Sequence, residues 1–276
     1  MYFLKPAAAA CALPCNADMT PSLAHTVSVA DIRLSDVHLK RGAQTVFQGL
    51  NLQVTERRIG LIGDNGAGKT SLFRLLCGLE HAYQGSVQVA GCDVQRQREQ
   101  LPGVVGLMFQ NPDDQIIFPT VEEELGLSLQ YRGVSRKAAI VQARDFLAAR
   151  GLADWAPRAV SGLSQGQRQQ VCFLAMLMAA PQVMLLDEPF ASLDLPGQAR
   201  LSRELDAAPA QVIISTHVLD HVRHFERVLW LDRGQVRGDG PGADVCAAYE
   251  ADVQARMGQP LDAATAAAAH NRPGTQ

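Results

Sequence analysis

The sequence predicts an α/β fold: a parallel β-sheet core with a small antiparallel β subdomain and an inserted α-helical subdomain. Three observations predict it. Short apolar runs that read as strands buried on both faces alternate with helical stretches along the chain. Short β-rich runs, and one glycine-bounded run that alternates as a strand with one wet face should, flank the first of these strands. Residues 112 to about 178 are helical in pattern, a block too long to be one crossover. A chain of 276 residues, 47% apolar, can fill one large domain or a domain with a subdomain.

Taken in order, residues 1–28 are rich in Ala, Pro and Thr without periodicity and are expected to be a disordered extension. Pro6 and Pro14 bracket an Ala run too short and too weakly apolar for a signal peptide, and Met19 is an alternative start. From Val29 the chain turns β-rich, with runs over Ile32 to Leu39 and Val46 to Val54 that suit a small antiparallel sheet. Arg58-Ile59-Gly60-Leu61-Ile62 then reads as a buried parallel strand, and Leu72, Leu75, Leu76 and Leu79 recur on one face of a helix. Gly85 to Gly91 alternates like a half-exposed strand, while Val104 to Phe109 reads as a buried one ending at Gln110.

Within the helical block, Thr120 and Glu123 have the spacing of a capping box, and Glu122, Glu123 and Glu124 crowd the first turn where the helix dipole favours acid. Ala139, Ile140, Ala143, Phe146 and Leu147 share a face of a second helix ended by Gly151. The core resumes with Val183 to Leu186, Val212 to Ile214 and a hairpin of Val228 to Leu231 with Gln235-Val236 about Arg233-Gly234. The main domain thus runs over residues 29–240, and 241–276 are expected to form an Ala-rich helix and a disordered tail.

Between the Ile59 strand and its helix lies Gly63-Asp64-Asn65-Gly66-Ala67-Gly68-Lys69-Thr70, which fits the phosphate-loop pattern G-x-x-x-x-G-K-S/T at every fixed position. Backbone N–H groups cradle a polyphosphate only where the chain passes close, so the glycines are expected to clear room for it. In such a loop Lys69 meets the β and γ phosphates, Thr70 offers a hydroxyl to Mg²⁺, and the helix N-terminus adds its dipole. A strand before and a helix after are the context the motif requires.

Asp187-Glu188 ends an apolar strand, where a phosphate-loop enzyme would hold a metal and polarise a water. Two carboxylates closing a strand at a surface loop are the plainer reading. Gln110 ends a strand on the same predicted edge, where parallel sheets bind ligands. Ser164 in Leu163-Ser164-Gln165-Gly166-Gln167 reads as a helix N-cap.

Composition excludes several classes. A net charge of -3 gives no basic footprint for nucleic acid. Six cysteines without a C-x-x-C pair indicate neither a zinc ribbon nor a disulfide framework. The longest apolar run, Val171 to Leu186, is broken by Pro181 and Gln182 and falls short of the roughly 20 residues a bilayer needs. His217, His221 and His224 have the spacing of one helical face, but without a carboxylate or thiol shell they read as surface residues rather than a metal site.

The ordered set Gly63 to Thr70, Gln110, Leu163 to Gln167, Leu185 to Glu188, Ser192-Leu193-Asp194 and Ser215-Thr216-His217 resembles the motif series of ATP-binding cassette ATPases over about residues 30–240. Gln165 departs from the usual S-G-G run. The resemblance implies a P-loop NTPase (RecA-like) core that hydrolyses ATP with Mg²⁺. It implies that Gly63, Asp64, Asn65, Gly66, Ala67, Gly68, Lys69, Thr70 and Ser71 bind ATP. Thr70, Gln110 and Asp187 would serve the metal, Glu188 would polarise water, and His217 would sense the γ-phosphate. Ser164, Gly166, Gln167 and Asp194 would act across a head-to-tail dimer on the ATP of a second subunit. Where the family stacks adenine on an aromatic ring this chain has Lys40, Arg41 and Gly42, so Arg41 is the candidate base contact.

Phe109 to Gln115, followed by Phe118 to Glu124, resembles the energy-coupling factor branch, which drives micronutrient import. That likeness implies a multispanning transmembrane coupling protein and a membrane substrate-binding protein as partners, and a peripheral place on the cytoplasmic face of the membrane. Glu56 to Gly63 and Pro189 to Pro196 look more like dedicated biotin-transport ATPases than cobalt or nickel ones. Cobalt or nickel uptake, a general vitamin module and a soluble non-transport cassette are the alternatives.

Overall fold

The computed structural model describes residues 30–257. The expected extension over residues 1–28, the start at Met19 and the tail from Gln259 fall outside them. Along the chain, β1 (Ile32–Arg41) and β2 (Gln44–Val54) pair antiparallel, and β3 (Arg58–Ile62) leads into α1 (Lys69–Leu76). β4 (Tyr83–Val89) pairs antiparallel with the free edge of β1, and the two-residue β5 (Cys92–Asp93) completes a sheet in the order β2-β1-β4-β5. Ile32, Leu34, Val37 and Leu39 of β1 are buried, while Arg33 and Ser35 lie on the wet side. The small antiparallel sheet expected from the sequence is therefore present.

β6 (Val105–Met108) is followed by α2 (Val121–Tyr131), α3 (Arg136–Ala148) and α4 (Gln165–Ala179) before β7 (Val183–Asp187) returns to the core. α2, α3 and α4 bury Val121, Leu125, Ala143, Leu147, Val171 and Leu174 in a cluster of their own, which Trp155 closes. Then come α5 (Leu195–Ala207), β8 (Gln211–Ser215), β9 (Arg227–Asp232), β10 (Gln235–Gly240) and α6 (Gly242–Met257). The second sheet has the order β10-β9-β3-β8-β7-β6, parallel throughout except for the antiparallel hairpin partner β10. Every residue of β7 and β8 is buried, which is why these strands read as unbroken apolar runs. Because the strands run parallel, the residues that follow β3, β6, β7 and β8 emerge on one edge of the sheet.

Two local expectations are corrected. α1 ends at Leu76, one turn before Leu79: Gly78 takes φ 69°, its N–H donates to Leu75 O, and Leu79 N–H donates to Arg74 O. This is a Schellman cap, and the apolar spacing of Leu79 continues past it without a helix beneath. Thr120 is the N-cap of α2 but forms no capping box; its hydroxyl donates to Glu123 Oε2 at 2.7 Å. The helix's first N–H groups find backbone partners instead, Val121 N to Arg158 O and Glu122 N to Ala156 O, each at 3.1 Å.

Candidate active site

The phosphate loop spans the gap between β3 and α1, with Gly63, Gly66 and Gly68 at φ 140°, 81° and 109°. A Cβ on Gly63 would stand 2.1 Å from the Leu231 carbonyl oxygen, and one on Gly68 3.0 Å from the Phe47 ring. Those two glycines let the loop sit hard against β9 and β2, and only Gly66 faces open space. The room expected for an anion thus lies at Gly66, while protein atoms fill the other two. Gly68 is also the N-cap of α1 and brings no side chain, so the first-turn N–H groups stay available.

A cleft of about 700 Å³ opens over the loop, and Asn65, Gly66, Gly68, Lys69, Thr70, Ser71, Gln110, Asp187, Glu188 and His217 line it. Four motifs, from Asn65 to His217, meet in one concavity because their strands end on one edge. Lys69 Nζ donates to Gly63 O at 2.6 Å and Asp64 O at 3.1 Å. Burial pulls its ammonium below the usual lysine range, against the charges of Glu188, Asp187 and Asp64, which favour the proton. On the cleft floor Thr70 Oγ1 donates to Asp187 Oδ2 at 2.7 Å, and His217 Nδ1 lies 2.9 Å from Glu188 Oε1.

Glu188 carries a left-handed backbone, φ 51°, that a glutamate adopts only under constraint. Its N–H donates to Ser215 O at 2.9 Å, and the buried Gln169 donates Nε2 to the carbonyls of Glu188 and Pro189 at 3.2 and 2.9 Å. Gln169 was not marked by any sequence signal, since only the fold brings α4 under this turn. Gln44, Thr45, Val46 and Arg233 also line the cleft, and the start of β2 and the β9–β10 turn deliver them. Their proximity to Arg41 and to the Arg233-Gly234 turn was the available clue.

Other expected residues are placed elsewhere. Asp64 turns its carboxylate away from the cleft, to Tyr249 OH at 2.7 Å and Arg256 at 2.6 Å, and these partners hold it below the usual carboxylate range. Ala67 is buried, with its carbonyl accepting from Gly234 N at 2.9 Å. Arg41 does line the cleft, but its guanidinium is paired with Glu80, which also takes Arg74 Nε at 2.9 Å. Ser164 caps α4 in a full capping box, Gln167 N to Ser164 Oγ at 3.2 Å and Ser164 N to Gln167 Oε1 at 2.9 Å. Asp194 caps α5 through Gly197 N at 2.9 Å, and a Cβ on Gly166 would meet Ser192 O at 2.7 Å. None of Ser164, Gly166, Gln167 and Asp194 lines the cleft. The three histidines share no helical face: Leu219–His221 is a single 3₁₀ turn, and His221 stacks on Phe190 with centroids 4.0 Å apart.

The family model for the ABC transporter matches residues 47–191, more than half of the chain. The biotin transport ATP-binding protein BioM of Rhodobacter capsulatus is 45% identical over 224 residues, covering 81% of this chain and 96% of that relative. The chain belongs to the ABC transporter ATPase family. A second relative, the biotin transport ATP-binding protein BioM of Rhizobium etli, is 34% identical, with 79% of this chain and 97% of that protein covered. Among solved structures, cbiO1 from Clostridium perfringens, described as part of the ABC transporter complex cbiONQ, superposes with a TM-score of 0.68 at 21% identity. It covers 83% of this chain and 95% of that one and supports the fold alone. As an ABC ATPase the chain binds and hydrolyses ATP, and its six-stranded sheet is the P-loop NTPase core of that family.

Proposed function

We propose that this ABC ATPase powers the import of biotin as the ATP-hydrolysing subunit of an energy-coupling-factor-type transporter. The identity of 45% with a biotin transport ATP-binding protein, over 96% of that relative, carries the choice of substrate. Phe109–Glu124, the segment that resembles the energy-coupling factor branch, is held in shape by its own side chains. Asn111 Oδ1 accepts from Asp113 N, Gln115 Oε1 from Phe109 N, and Glu124 Oε2 from Ile117 N and Phe118 N at 2.9 and 2.8 Å. Ile117 is left 74% exposed on it, an apolar side chain free to meet the transmembrane coupling protein. Among the described residues no helix is long and apolar enough to cross a membrane. A peripheral place on the cytoplasmic face follows from the proposed membrane partners, which would hold the chain there.

Within the cleft, Lys69 would leave the Gly63 and Asp64 carbonyls for the ATP phosphates, joined by the amides of the loop residues that line it, Asn65, Gly66 and Gly68 to Ser71. Glu188 accepts a hydrogen bond from the attacking water and orients it, and His217, 2.9 Å from that carboxylate, contacts the γ-phosphate. Thr70 Oγ1 and Asp187 Oδ2 are hard oxygen donors 2.7 Å apart, a pair that fits Mg²⁺, and Gln110 would reach the ion or its waters. Bound there, Mg²⁺ supplies charge neutralisation for the β and γ phosphates. Ser164, Gly166, Gln167 and Asp194 complete the site of a second subunit, so two ATP molecules are enclosed when the dimer closes.

The test is purification of the chain from membranes with its partners, together with labelled-biotin uptake by wild type and Lys69→Ala. Two multispanning proteins are expected to co-purify, and uptake is expected to fall to background in Lys69→Ala. Partners present without wild-type biotin uptake would refute biotin as substrate; a chain recovered alone would refute the transporter.

A further inference from the structure

We infer that Tyr249 and Arg256, on the C-terminal helix α6, are positioning residues for the phosphate loop and act through Asp64. Asp64 is the second residue of the loop and faces two ways. Its backbone carbonyl accepts from Lys69 Nζ at 3.1 Å, while its carboxylate is held by Tyr249 OH at 2.7 Å and by Arg256 through NH1 at 2.6 Å and NH2 at 3.4 Å. α6 is thus one side chain away from the lysine ammonium. Arg256 is itself braced, its Nε 2.8 Å from Asp252 Oδ2, and the Tyr249 ring meets the Trp230 ring edge-on at 5.3 Å. Trp230 belongs to β9, whose Leu231 carbonyl is the atom that Gly63 must clear. Loop, β9 and α6 therefore form one interlocked unit.

The grip is separable from the docking of the helix. Val245 and Cys246 are buried, Arg223 pairs with Glu250, and Arg237 NH2 lies 2.5 Å from Asp252 Oδ1. α6 keeps these anchors when the Asp64 contacts are removed. What is lost is the fixed direction of the Gly63 and Asp64 carbonyls, and with it a loop already ordered before nucleotide arrives. Ordering then has to occur on binding, which weakens affinity. The cost is the same for bound substrate and transition state, so KM rises while kcat holds.

This inference rests on the reading that the loop binds ATP, and the experiment separates the two. MgATP affinity, KM, kcat and melting temperature are measured on the full chain as wild type, Tyr249→Phe, Arg256→Gln, Arg256→Lys, Asp64→Asn and the double variant Asp64→Asn/Arg256→Gln. Tyr249→Phe and Arg256→Gln are expected to weaken MgATP binding and raise KM roughly three- to tenfold, the net scale of one ordinary hydrogen bond, because the second partner still holds the Asp64 carboxylate. kcat stays within about twofold, as expected when ground-state and transition-state binding fall together. The double variant is expected to be no worse than its worse single, because both changes cut one link. Arg256→Lys, which keeps the charge, should recover part of the affinity with an unchanged melting temperature. Variants that bind MgATP like wild type, additive losses in the double variant, or losses that track a falling melting temperature would overturn the inference. A wild-type chain that binds no MgATP would instead overturn the ATP-site reading beneath it.

Discussion

Glu188 shows how a single residue can be chemically obvious and structurally hidden at once. Its carboxylate at the end of an apolar strand was legible, because strand ends on a phosphate-loop edge are where metal and water ligands belong. Its left-handed backbone and the Gln169 side chain that pins it were not, since no spacing along the chain links residue 169 to residues 188 and 189. The anchoring bonds run to backbone atoms, so Glu188→Gln should leave the turn intact. That variant is expected to bind MgATP normally and to lose turnover by about 100-fold or more, the scale of a lost general base. Single-turnover hydrolysis alongside nucleotide binding checks it, and a wild-type rate would remove Glu188 from the mechanism. Asp64 teaches the converse. Its place in the motif suggested phosphate, whereas its carboxylate points to α6, a partner 185 residues away in the chain.

At the scale of elements, the helix starts separate what a motif can and cannot say. Ser164 and Gln167 form the capping box that their spacing suggests, yet Thr120 and Glu123, with equally good spacing, do not. The difference lies in competition. Arg158 and Ala156 carbonyls reach the first N–H groups of α2, while Glu123 is drawn to the Thr120 hydroxyl and to Arg136. Glu124, which spacing marked only as one acid among three, is 5% exposed and holds two backbone N–H groups of the preceding loop. Thr120→Ala is therefore expected to cost under about 0.5 kcal/mol, below the usual value of a cap. Glu124→Ala should cost about 2 kcal/mol, as loss of hydrogen bonds to a charged acceptor does. Denaturant titrations of the two variants decide it through their midpoints, provided the slope is unchanged. Equal costs would mean that Thr120 caps the helix after all.

For the whole molecule, the elements were legible and their order in the sheet was not. A strand buried on both faces carries no face preference, so its apolar run fits many neighbours, and the order β10-β9-β3-β8-β7-β6 rests on long-range pairing. What could be inferred without that order was the edge, because parallel strands present their following residues together. That edge holds Lys69, Thr70, Gln110, Asp187, Glu188 and His217 in one cleft and leaves Ser164, Gly166, Gln167 and Asp194 outside it. If those four served only as caps and packing, each chain would be a complete catalyst; if they finish a neighbour's site, activity belongs to the pair. Mixing two inactive variants decides between these. Lys69→Ala keeps an intact signature, and Ser164→Arg, at an exposed position, keeps an intact loop. In a heterodimer of the two, one composite site combines the intact loop of one chain with the intact signature of the other. Equimolar mixing puts half of the chains' dimers in that state with one of two sites whole, so up to about a quarter of wild-type sites should return. Recovery of ATPase activity on mixing, absent from either variant alone, is the expected result; a Ser164→Arg variant that hydrolyses ATP at the wild-type rate by itself would make the cleft a site that one chain completes alone.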